Sequence, residues 1–171
     1  MWLALQRAWA RDERVHALKV AIQTAKVLAS PGGSYYPAVF ACATDVLDAF
    51  GRMVYDRVDQ KRAKDPRDAK ETCRNWFYKT ACVRDLVPRF YVEVALLRCY
   101  SFLGNETDND DISQILARLA HVARGFGDPV VAAYARCYLA RAAQRAGHHL
   151  VASSSAKGVS ASAQDASSSS S

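Results

Sequence analysis

The chain has 171 residues, half of them apolar and 23% charged, with a mean hydropathy of −0.15. That is enough apolar material for one sizeable core; it excludes a wholly disordered protein and argues against two full domains. Lys and Arg number 23 against 17 Asp and Glu, and because Lys157 and Asp165 cancel, the net +6 falls on the part before the tail. The stretch 151–171 is almost all serine, alanine and small polar residues. It cannot bury enough surface to offset its ordering entropy, so residues 1–150 are read as the folded segment and 151–171 as a disordered tail.

Five cysteines, Cys42, Cys73, Cys82, Cys99 and Cys137, are odd in number, widely spaced and set in apolar helical runs. They form no CxxC pair and no disulfide framework. The opening Met1-Trp2-Leu3-Ala4-Leu5 is cut short by Gln6, Arg7, Arg11, Asp12, Glu13 and Arg14 before a signal-peptide core or membrane span can develop. The expectation is a reduced, soluble, intracellular protein, in which Asn105-Glu106-Thr107 is an ordinary loop and not a glycosylation acceptor.

Helical periodicity runs through most of the chain. Val15, Leu18, Ile22, Ala25 and Leu28 recur at three- and four-residue steps and predict one helical face, ended by Ser30-Pro31-Gly32-Gly33. A second helix is predicted from about Pro37 to Lys61-Arg62, with Val39, Ala43, Val46, Leu47, Phe50, Met53, Val54 and Val58 inward. Asp65-Pro66 supplies an N-cap and a first-turn proline for a third helix, whose broad face carries Cys73, Trp76, Phe77, Thr80, Val83 and Val87. Pro88 then punctuates the chain before a fourth helix, Phe90 to Leu103, apolar nearly all round and therefore read as the central element. Asp111 and Gln114 form a capping-box pattern for a fifth helix. Gly125-Phe126-Gly127-Asp128-Pro129 closes that helix and starts a sixth, which fades near Gly147. About six helices joined by short turns form either a closed bundle or a stack of antiparallel pairs, and the apolar Trp2, Leu3, Leu5 and Trp9 favour the stack.

Catalytic chemistry gains little from these residues. His16, His121, His148 and His149 have neither a partner histidine at i+4 nor neighbouring cysteine ligands. Asp108-Asn109-Asp110-Asp111 fails as a calcium loop because Ile112 stands where a third oxygen ligand belongs. Gly125-Phe126-Gly127 follows a helix, lacks a third glycine and has no phosphate-binding lysine, so it is a turn. Cys73 and Cys82 read as inert core cysteines. The basic run Arg52, Arg57, Lys61, Arg62, Lys64, Arg67, Lys70 and Arg74 is interleaved with Asp48, Asp56, Asp59, Asp65, Asp68 and Glu71, which favours a mixed solvated face over a phosphate track. Nearby Trp76, Phe77 and Tyr78 sit at core-packing spacing.

The anomaly is Pro88-Arg89-Phe90-Tyr91-Val92-Glu93. Arg89 puts a cation at the positive end of a helix dipole, which costs about 0.3–1 kcal/mol when exposed and unpaired. Either Glu93, one turn on, compensates it with help from Asp85, or Arg89 is the multidentate donor of a protein interface.

This hexapeptide joins four further stretches, Leu18–Gln23, Thr44–Gly51, Glu71–Phe77 and Gly125–Pro129. Together, in this order over about Arg14 to Arg145, the chain resembles the large helical scaffold subunit of retriever, the retromer-like endosomal recycling complex. The resemblance implies an all-α fold, an α-solenoid of HEAT-like antiparallel helix pairs without catalytic chemistry or cofactor, acting at endosomes in the cytoplasm in recycling of cargo to the plasma membrane. It also implies binding of an arrestin-like subunit through Pro88, Arg89, Phe90, Tyr91 and Val92, where phenylalanine and valine replace the leucines of the retromer pattern. Members of that family are several times longer, and nothing here matches the far solenoid end that holds the phosphoesterase-like subunit. The chain is accordingly read as a fragment, a truncated gene model or a short paralogue, touching membranes only through its complex and binding no nucleic acid. The alternative from another class is a basic helical module for nucleic acid or anionic membrane.

Overall fold

The computed structural model describes residues 1–32, 35–103 and 109–165, and their side chains except those of 109–111 and 148–165. Seven α-helices occur among them: α1 (Trp2–Ala10), α2 (Arg14–Lys26), α3 (Tyr36–Arg62), α4 (Pro66–Ala81), α5 (Leu86–Ala95), α6 (Asn109–Arg124) and α7 (Pro129–Asp165). Short 3₁₀ segments, Val27–Ala29 and Leu97–Phe102, follow α2 and α5. Successive helices pack antiparallel, as an all-α solenoid requires, and no strand is present among the described residues.

The stretch read from sequence as a single first helix is two. Asp12 adopts a left-handed conformation, φ 60°, and behind it Asp12 N–H donates to the Trp9 carbonyl (3.1 Å) and Glu13 N–H to that of Ala8 (2.9 Å). This is a Schellman ending with aspartate in the usual place of glycine, a substitution that the short polar side chain tolerates. The break turns α1 back over α2 and α3, burying Leu5 and Ala8 and stacking Trp9 on Trp76 of α4. The predicted face of α2 is largely the buried one: Leu18, Ala25 and, in the 3₁₀ segment, Leu28 are buried and Ile22 packs against the core, joined by Ala17 and Ala21, whereas Val15 is exposed.

Helix α3 runs through the whole stack. Its predicted inward residues are buried or half-buried except Val39, which lies near the helix start and is exposed. Gly51 sits mid-helix for a steric reason. A Cβ there would lie 2.1 Å from the carbonyl oxygen of Ala95, so glycine lets α3 and the end of α5 touch backbone to backbone. Buried Thr24, Thr44 and Thr80 satisfy their hydroxyls on the carbonyls four residues earlier, at 2.8–2.9 Å, and so need no polar partner across the helix interfaces.

Asp65 caps α4 by accepting from Arg67 N–H (2.8 Å), and Asp128 caps α7 by accepting from Val130 (2.8 Å) and Val131 (3.0 Å), as the two Asp-Pro pairs predict. The third predicted helix stops sooner, at Ala81; Cys82 at its end is exposed, not a core residue, while Cys73 is buried. Cys42 and Cys137 are exposed as well. The predicted helix Phe90–Leu103 is divided. It begins earlier, at Leu86, with Pro88 in the first turn where its missing N–H costs nothing, and at Leu96 it tightens into the 3₁₀ segment. Its central place is as expected, since α5 packs against α2, α3, α4, α6 and α7.

Helix α6 begins at Asn109, three residues before the first helical position expected after an Asp111 cap; the Asp111 side chain of the expected capping box, the loop 104–108 and Gly33 lie outside the described residues. The backbone of α7 is helical to Asp165 and does not end near Gly147, which its alanines favour and its serines permit. The side chains of His148 and His149 lie outside the described residues.

Long-range polar ties lock the register of α3 against α7. Asp48, with 11% of its side chain exposed, accepts from the Tyr138 hydroxyl (2.8 Å) and takes a forked pair from Arg145 (2.6 and 2.8 Å), with Arg141 3.5 Å away. Phe40 and Tyr36 meet Tyr134 edge-on at 4.8 and 5.0 Å between ring centres.

Replacing Gly51 by alanine should destabilise the fold by about 1–3 kcal/mol or more, because neither backbone can yield alone; chemical denaturation measures it. Burial raises the phenols of Tyr36, Tyr91, Tyr100 and Tyr138 and the thiols of Cys73, to about 12, and Cys99. In the unfolded chain thiols ionise near 8.5 and phenols near 10, so above those values the folded state holds protons that the unfolded state has released. Stability must then fall as pH rises, giving a lower urea midpoint at about pH 10.5 than at about pH 8.

Candidate partner-binding site

The segment Pro88–Val92 occupies the first two turns of α5, the helix with neighbours on most sides. Phe90 is 1% exposed and Tyr91 and Val92 not at all; Pro88 is buried too. The reason lies in what they meet. Phe90 packs edge-on against Phe126 at 5.4 Å, and Tyr91 lies 5.4 Å from Tyr138 of α7. The Tyr36 hydroxyl donates to the Leu28 carbonyl (2.9 Å), and the Tyr91 hydroxyl beside it is buried without a hydrogen bond of ordinary geometry among the described residues. Desolvation, and then the proximity of Tyr36, push the Tyr91 phenol well up, so it stays neutral.

Arg89 differs from its neighbours. It is half-exposed, and neither local carboxylate compensates it. Asp85 pairs with Lys26 of α2 at 3.2 Å. Glu93 turns away to α6, where Arg118 bonds it, and accepts from the Tyr100 hydroxyl at 2.7 Å. The same contact raises the Arg118 guanidinium, and burial followed by the Glu93 charge raises the Tyr100 phenol. The intrahelical Arg89–Glu93 pair is therefore not formed, because a longer-range arginine captures the glutamate. Among the described residues Arg89 has no ion pair, side-chain hydrogen bond or ring contact.

Chain direction places the α2–α3, α4–α5 and α6–α7 connections at one end of the array, and the Lys26–Asp85 pair and the Phe90–Phe126 contact tie that end together. Leu86, one turn before Arg89, is 40% exposed there, and Val27, Val130 and Tyr35 are 45%, 43% and 78% exposed. Sequence reading missed this apolar set because helical spacing alone does not say which apolar residues beside a turn remain uncovered. The one available signal is their position next to proline and glycine.

Chemically, such an end offers a guanidinium with its bonding capacity unspent, held on a rigid helix amid apolar surface. It suits a carboxylate-bearing protein surface better than a reaction. Among the described residues no group of three His, Cys, Asp or Glu side chains could hold a metal, and no helix is long and apolar enough to cross a membrane.

Comparison with known proteins accords with this architecture. The family described as VPS35L matches residues 1–168. The Drosophila melanogaster protein named VPS35 endosomal protein sorting factor-like is 44% identical over 149 residues, covering 80% of this chain and 16% of its own length. Its Dictyostelium discoideum namesake is 45% identical over 149 residues, 80% of this chain and 15% of that protein. The Homo sapiens VPS35 endosomal protein-sorting factor-like is 42% identical over 161 residues, 86% of this chain and 16% of that protein. The chain thus spans about a sixth of the length of these curated relatives. With a family match along nearly its full length and the helical stack that such a match entails, the chain belongs to the VPS35L family.

Proposed function

We propose that this chain is a non-enzymatic scaffold segment of a retriever- or retromer-like complex, serving endosome-to-plasma-membrane recycling of cargo, and that it binds an arrestin-like subunit. The observation that carries the reading is Arg89, a half-exposed guanidinium without a partner among the described residues at the apolar end of the stack. Within the Pro88–Val92 segment the parts divide. Arg89 makes the contact, while Pro88, Phe90, Tyr91 and Val92 hold α5 in place so that the arginine is presented at fixed height. The relatives' description as endosomal protein sorting factor-like supports placement at endosomes. Residues 1–150 supply the core of the unit, and the α7 backbone continues beyond them as helix to Asp165.

Capture of the arrestin-like subunit on immobilised chain tests the reading. Arg89→Glu should weaken capture at least about tenfold, because a charge reversal at an interfacial arginine forfeits its hydrogen bonds and adds repulsion. Equal capture by both forms removes the arginine contact, and capture by neither removes the partner. The same substitution should leave thermal unfolding within about 0.5 kcal/mol, whereas Phe90→Ala should cost about 3–5 kcal/mol. That contrast separates the residue that binds from those that position it.

A further inference from the structure

The basic run that the sequence shows as a mixed-sign face is sorted by the fold into two parts. Arg52 of α3 and Lys64 after it have no ion pair among the described residues, but the other cations on that side are engaged: Arg57 with Asp12 at 3.4 Å, Lys61 with Asp68 at 2.8 Å, and Arg62 with Asp59 at 2.7 Å. On α4 they are not. Ala69, Cys73, Trp76 and Thr80 turn inward, which leaves Arg67, Arg74 and Tyr78 on the opposite side, flanked by Lys70 and Lys79. None of these four cations has an ion pair among the described residues, and Tyr78 is 70% exposed. The carboxylates of the helix do not cancel them: Asp65 caps the helix, Asp68 is bound by Lys61, and only Glu71 stands within the stripe.

We propose that the outer face of α4 docks on an anionic lipid surface. Cations from Arg67 to Lys79 extend over about 18 Å of a straight, convex helix, with no groove to enclose a peptide. Such a face meets a flat layer of phosphate headgroups along its length. Tyr78, exposed near the C-terminal end of it, has the amphipathic ring that settles at the headgroup level. The choice of a membrane over a polynucleotide rests on the endosomal reading above, which puts an anionic leaflet within reach of the chain. Direct contact of this kind goes beyond the association through a complex that the sequence implies.

The test is sedimentation of the 171-residue chain with vesicles of phosphatidylcholine, alone or with about 30% phosphatidylserine. Binding is expected only to the anionic vesicles and is expected to be lost on raising salt from about 0.1 to 0.5 M. Loss of one surface cation costs about fivefold and reversal of its charge more, so the combined Arg67→Glu, Arg74→Glu, Lys79→Glu variant should bind at least about 100-fold more weakly. Combined Arg7→Glu, Arg124→Glu, Arg136→Glu, an equal charge change on other exposed sites, should bind far better than the α4 variant. Should the triple α4 variant lose its helical circular dichroism, Arg74→Glu alone still reads a loss of at least about fivefold. No sedimentation with anionic vesicles, undiminished binding of the α4 variants, or equal loss in both triple variants overturns the proposal. So does tighter binding to a short RNA oligonucleotide through the same residues. Arg89→Glu should leave vesicle binding unchanged, so the fate of this surface is read separately from that of the arrestin-like partner.

Discussion

Enclosure of α5 is the constraint on which the rest of the molecule depends. Phe90, Tyr91, Val92 and Val94 are almost completely removed from water, and five other helices take part in removing them. Each neighbour must present an apolar or small face at the correct rotation. This explains why Gly51 stands where α3 crosses the end of α5 and why the buried threonines bond back to their own helices. A helix so enclosed has almost no freedom, and whatever side chain it directs outward inherits that rigidity. Arg89 does so at low entropic cost, which is the condition under which a single guanidinium can anchor a protein interface.

The electrostatics follow from that packing and not from charge order along the chain. Glu93 and Asp85 both lie within one turn of Arg89, yet the stack brings Arg118 and Lys26 to them instead. Likewise Asp48 gathers Tyr138 and Arg145 from positions 90 and 97 residues away, so a largely enclosed carboxylate becomes a clamp between α3 and α7. Carboxylates drawn into inter-helix ties are withdrawn from their local cations. Arg89 and the outer face of α4 are left with unspent charge for this one reason, and the two surfaces lie on different elements, one suited to a protein and the other to a layer of headgroups.

Much of the helical plan was legible because its signals are local. Asp65-Pro66 and Asp128-Pro129 cap their own helices with their own side chains, and the nearly uninterrupted apolar character of residues 90–103 marked the middle of the stack before any neighbour was known. The five stretches of family resemblance carried the family assignment for the same reason, being ordered strings of residues. The Asp12 ending was not legible, since aspartate enters the left-handed region only where the surrounding hydrogen bonds demand it. Nor was the 3₁₀ tightening after Ala95, where the contact with Gly51 sets the backbone path.

The sequence by itself determined that this protein is a set of amphipathic helices, where most of them start, and to which family they belong, because capping, propensity, periodicity and ordered motifs act over a few residues each. Only the tertiary structure decided that Val15, Val39 and Val130 face outward, that Phe90, Tyr91 and Val92 are buried in the core, and that Arg89 has no ion pair among the described residues. Those outcomes depend on the rotation and register of each helix, which are set by the sum of packing and ion pairing across the whole stack and are encoded in no single stretch of chain.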